Sequence, residues 1–117
     1  MFKFEDITSS NNGGNIIAAC KIQSDAHFFT GHFENFPVMP AVAQLLMIQA
    51  LIKTSRICNE KIAATKSCKF YQLIQPDQSV QITLSKINND TLTFMIENGD
   101  DVFTKGAFQL TGNPATP

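Results

Sequence analysis

The 117-residue sequence is short of charge: acidic and basic residues together make up 16% of it, and the net charge is −1. A balance so close to neutral excludes a protein built mainly to hold nucleic acid, because phosphate binding demands a basic footprint. A hydrophobic content of 44% excludes a disordered chain. Cysteine is scarce. Cys20, Cys58 and Cys68 are odd in number and have no C-x-x-C spacing, so reduced thiols are expected rather than a disulfide framework. Histidine occurs twice, as His27 and His32, with no cysteine nearby, so no metal site is expected. The opening stretch, MFKFEDITSS, lacks the apolar core of a signal peptide, which gives the expectation of a cytoplasmic protein. Repeats and linkers are absent as well. One domain over residues 1–110 is expected, then a disordered tail over 111–117.

What is present is concentrated between Phe28 and Ile52. The first half of that stretch is a loop rich in backbone-special residues: Gly31, His32, Phe33, Pro37 and Pro40. The second half is apolar, with Val42, Leu45, Leu46, Met47, Ile48, Leu51 and Ile52, and no charge falls between Glu34 and Lys53. Proline suits the first helical position, where its missing N–H is an orphan in any case, so a helix is expected from Pro40. From Pro40 to Ile52 it counts 13 residues, short of the ~20 that cross a bilayer. A helix apolar on nearly every face is expected to be buried on nearly every face. No membrane insertion is expected.

Around this helix the chain reads as strands. Phe2 to Thr8 is a short edge strand or packed arm, and Asn11-Asn12-Gly13-Gly14 is a turn leading into a strand from Asn15 to Ile22. After the helix come Ile62 to Tyr71, then Val80, Ile82 and Leu84 in clean alternation, then Thr91 to Glu97 and Val102 to Leu110. Strand, long loop, buried helix and antiparallel strands on short turns describe an α+β architecture: one helix against a curled antiparallel sheet.

The loop also carries a resemblance. Gly31-His32-Phe33 followed by Pro37-Val38-Met39-Pro40 resembles the G-H-F-x-x-x-P-x-x-P-G pattern of hotdog-fold 3-hydroxyacyl-acyl-carrier-protein dehydratases. With Val42-Ala43-Gln44-Leu45 following, it is most similar to the small aryl-polyene-type dehydratase-like proteins. Two positions depart from the pattern. Ala41 stands where the family has glycine, and Leu46 stands where it has its catalytic Glu or Asp.

The resemblance implies a hotdog fold and a dehydratase acting on 3-hydroxyacyl thioesters of acyl carrier protein or coenzyme A, without a cofactor. It implies a homodimer or a dimer of dimers. It makes His32 the base, since an imidazole titrating near ~6.5 both takes and returns a proton. The backbone N–H of Ala41, in the first helical turn, becomes the donor to the thioester oxygen. Phe29, Gly31, Phe33, Val38, Met39, Gln44, Leu46 and Gln49 would meet the substrate. Gln44 and Gln49 can orient a hydroxyl but cannot transfer a proton to it, and an amide hydrogen-bonded within the protein is at least as good a reading of both. Lys53, Arg56, Lys61, Lys66 and Lys69 form a basic run, with Arg56 and Lys69 expected to dock an acidic carrier. The missing acid keeps two alternatives open: a thioesterase, with His32 or Glu34 activating water, and a non-catalytic binding module for acyl thioesters or carrier protein.

Overall fold

In the computed structural model, which describes residues 2–23 and 38–111, β-branched and aromatic residues alternate with polar ones along the strands that build the core. The strands are β1 (Phe4–Ser10), β2 (Asn15–Lys21), β3 (Ile62–Phe70), β4 (Ser79–Asn88), β5 (Thr91–Asn98) and β6 (Asp101–Leu110). They form one antiparallel sheet in the order β1-β2-β4-β5-β6-β3, so β1 and β3 are its edges. The helix α1 (Ala41–Ser55) packs on one face.

Register explains the core. Ile16, Leu84, Phe94 and Gly106 lie opposite one another across β2, β4, β5 and β6. The next inward row is Ala18, Ile82, Ile96 and Thr104. Because side chains alternate faces with period two, both rows point at α1. Gly106 is required by close packing: a Cβ there would run into the Phe94 ring and the Ser67 carbonyl. The turns follow their residues. Asn11, Asn12 and Gly13 all take positive φ between β1 and β2, as does Gly99 between β5 and β6.

Two expectations about the helix need correction. Pro40 is not its first residue but its N-cap, with extended φ −63° and ψ 154°, and the helix runs on to Ser55. Nor is it buried all round. Ala43, Gln44, Met47, Ile48, Leu51 and Ile52 face the sheet, whereas Val42 is 65% exposed and Leu46 52% exposed. One sheet covers one side of a helix, so an apolar sequence alone does not specify that every face is covered. The tail over 111–117 lies outside the described residues apart from Thr111.

Candidate functional site

The candidate site grows from the segment that enters α1. Met39 is buried, and both its backbone groups are held: its N–H donates to Ile74 O (2.7 Å), and its carbonyl accepts from Gln44 Nε2 (3.2 Å). The chain leaving β2 is tied to the same neighbourhood. Ile22 N–H donates to Gln78 O (2.8 Å), and Asp77 N–H donates to Ile22 O (2.6 Å). The connection from β3 to β4, through Ile74 and Gln78, therefore grips the chain both before and after residues 24–37. Ile74 is fully buried, so the grip rests on the core.

Gln44 is the polar member of the helix's buried face. Its Oε1 accepts a 2.6 Å hydrogen bond from Thr104 Oγ1, itself fully buried on β6, while its Nε2 reaches Met39 O. A buried amide needs such partners, since leaving one unmade costs ~1–3 kcal/mol. The amide expected to meet substrate is thus engaged within the protein, bracing the helix entrance against β6. Thr104 belongs to no motif in the sequence. Its signal was a polar residue in the inward register between Val102 and Phe108, waiting for a buried partner.

Gln49 and Leu46 behave differently. Positions 42, 46, 49 and 53 are spaced by four, three and four residues and so share one helical face. Val42, Leu46, Gln49 and Lys53 are all exposed on it. The stripe runs into a basin of about 660 Å³ lined by Gln49, Ile52, Lys53, Arg56, Lys61 and Ile62, among others. Arg56 caps the helix in the left-handed conformation, φ 56°, with its N–H bonded to Ile52 O. Glu60, also in the basin, is paired with Lys86 at 2.8 Å, and that hydrogen-bonded ammonium holds its carboxyl below the usual range.

The basic run does not converge. Arg56, Lys53 and Lys61 share the basin on the helix side, but Lys69 lines a separate concavity on the outer face of the sheet. Ala41 opens α1 and is exposed, and Val38 is half-buried beside Met39. Phe29, Gly31, His32, Phe33 and Glu34 lie outside the described residues. Burial pushes the thiols of Cys20, Cys58 and Cys68 up, which keeps them protonated and poorly nucleophilic at neutral pH. Among the described residues no group of acidic, histidine and cysteine side chains is placed to hold a metal. None of the described helices is long and apolar enough to cross a membrane.

Known proteins resemble this one over most of its length. A dehydratase named 3-hydroxyacyl-[acyl-carrier-protein] dehydratase FabZ from Lactiplantibacillus plantarum is 31% identical over 104 residues, covering 77% of this chain and 69% of that one. Its namesake from Ligilactobacillus salivarius is 29% identical over 90 residues. The chain spans 62% of that relative's length. Among solved structures, the dehydratase heterocomplex ApeI:P from Xenorhabdus doucetiae superposes with a TM-score of 0.83 at 17% identity, covering 94% of this chain and 97% of that one. Thioesterase superfamily member 2 from Mus musculus superposes with a TM-score of 0.67 at 8% identity, covering 95% and 82%. Both likenesses show the fold, a hotdog sheet around one helix. The model of the ApeI-like family, described as ApeI dehydratase, matches residues 8–107, and this chain therefore belongs to the ApeI-like family of hotdog dehydratases.

Proposed function

We propose that this chain binds 3-hydroxyacyl thioesters of acyl carrier protein or coenzyme A and takes part in their dehydration, in cytoplasmic fatty-acid or polyene-type lipid biosynthesis. The observation that carries the reading is the exposed stripe on α1. Leu46, at the position of the family's acid, opens outward beside Val42 and Gln49 and above a basic basin. An acyl thioester laid along this stripe meets apolar side chains, with the first-turn N–H of Ala41 available to its oxygen.

In this reading His32 takes the C2 proton. The electron pair left behind forms the C2–C3 double bond as the C3–O bond breaks, and the proton returned by His32 leaves with the hydroxyl as water. The basin formed by Lys53, Arg56 and Lys61 receives the anionic carrier. A second hotdog subunit, in our reading another copy of this chain, joins along the open edge of β3 and closes over the stripe. The Xenorhabdus relative is a heterocomplex, so a related but different chain is the other candidate partner. Leu46 itself favours a second reading, a subunit that binds the acyl thioester without turning it over, because no acid stands at that position.

The test is mass spectrometry after incubation with a 3-hydroxyacyl carrier protein and, separately, the coenzyme A thioester. Loss of water that disappears in His32→Ala supports dehydration. Release of free acid would replace it with thioester hydrolysis. An unchanged ligand in a stable complex would replace it with the binding reading.

A further inference from the structure

The sheet face turned away from α1 holds a second concavity, of about 540 Å³. Register builds it from two adjacent outward rows. The first runs Lys69, Lys105, Met95, Thr83 across β3, β6, β5 and β4. The second, parallel to it, runs Ser67, Ala107, Thr93, Ser85. All eight residues line the concavity, and Tyr71, 55% exposed, stands at its rim.

Lys69 and Lys105 are direct cross-strand partners. Side chains so placed start about 5 Å apart at Cβ, and like charges in that position repel and destabilise the sheet. Among the described residues neither lysine has an ion pair, and no carboxylate lines the concavity. The nearest acid by register, Glu97, is bonded to Gln81 Nε2 at 3.0 Å. Thr93 Oγ1 is spent on Ser85 O, but the hydroxyls of Ser67, Thr83 and Ser85 have no hydrogen bond among the described residues. Helix-end cations have an internal explanation in the helix dipole. This pair has none.

We propose that the outer-face concavity is a binding site for a small organic diphosphate, of which a nucleoside diphosphate is the type. The two ammoniums supply the counter-charge that a diphosphate matches, and the Ser67 hydroxyl, two residues from Lys69 on the same face of β3, adds a donor that suits the many acceptor oxygens of phosphate better than the two of a carboxylate. Tyr71 and Met95 offer an apolar surface to a flat ring. The volume lies in the range of small-molecule sites. Strand pairing along the β3 edge uses backbone groups and leaves these outward side chains free. The site is separate from the α1 stripe and does not depend on the dehydratase reading.

The experiment titrates the full chain with ADP and with pyrophosphate, following affinity by calorimetry and the Tyr71 ring and Met95 methyl signals by NMR. ADP should bind saturably, shift both signals and bind more tightly than pyrophosphate. Lys69→Gln and Lys105→Gln should each weaken ADP by about tenfold or more, the scale of one lost charge-assisted contact. Lys21→Gln, an equal loss of charge on β2, should not. Exposed glutamines that relieve a repulsion should leave the fold intact, checked by the far-UV spectrum. Failure of ADP to saturate, unmoved Tyr71 and Met95 signals, or equal behaviour of all three variants would overturn the site.

Discussion

The two sides of α1 are close in hydropathy and opposite in circumstance. Toward the sheet, Met47, Ile48 and Leu51 are fully buried against the inward rows of β2, β4, β5 and β6. Away from it, Val42 and Leu46 are as apolar but stand in the open, with Gln49 and Lys53 completing the stripe. Large apolar side chains left out of a core and aligned on one face mark a surface awaiting a ligand or a partner. The polar residues divide the other way. Gln44, on the buried side, is held at both ends by Met39 and Thr104, whereas Gln49 has no side-chain hydrogen bond among the described residues. Two glutamines on one helix thus serve different ends: one braces the entrance of the helix, the other belongs to the open stripe.

The contrast is most sharply tested by truncation. Ile48→Ala or Leu51→Ala should destabilise by about 2–5 kcal/mol in denaturant unfolding, because each empties a packed site. Leu46→Ala in the isolated chain should cost well under that. Equal losses on both faces would mean that the stripe is covered even in the free chain. Next is the brace. Gln44→Leu should cost about 1–3 kcal/mol by stranding the Thr104 hydroxyl and the Met39 carbonyl. Adding Thr104→Val should recover part of it, since the hydroxyl is then gone; a strictly additive double mutant would deny the coupling.

On the open side, Leu46→Glu tests the vacant position directly. A carboxylate there is partly solvated in the single chain, so its folding cost is small, and closure by a second subunit would raise its pKa and keep the proton to be donated. Dehydration turnover should rise by about tenfold or more, within the range a positioned acid contributes, and the gain should vanish on adding His32→Ala. A folded Leu46→Glu protein without a His32-dependent gain would favour the binding reading. At the helix end, Arg56→Gly should stabilise by up to about 1 kcal/mol, because a non-glycine residue pays for the left-handed cap. An unchanged melting midpoint would mean that the arginine side chain offsets its strain through contacts in the basin.

The subtlest effect concerns pH. Glu60 has a lowered carboxyl pKa, so its pairing with Lys86 adds stability above the unfolded-state value and loses it as pH falls through the folded one. The stability gap between wild type and Glu60→Gln should therefore be open at pH 7 and close on acidification below about 4. A gap independent of pH would assign the loss to packing instead of charge.

Most of the fold was legible in the sequence because it is written in local terms. Alternation in Val80, Ile82 and Leu84 and in Leu92, Phe94 and Ile96, turn residues at Asn11 to Gly14 and at Gly99, and a proline before an apolar run each act over a few residues. The same is true of the Gly31-His32-Phe33 loop and of the leucine at position 46, which placed the chain among dehydratases and marked its departure from them. Tertiary structure alone decided the rest. Whether an apolar helix face is covered depends on how many layers surround it, and this chain supplies one sheet. The inward register of Thr104 met Gln44 only when strand β6 passed beneath the helix, sixty residues away in sequence. The facing of Lys69 and Lys105 came from pairing two strands distant in the chain, and the parting of Lys69 from Arg56 came from the two faces of the sheet between them. Such encounters depend on strand order and register, which short-range residue preferences do not specify.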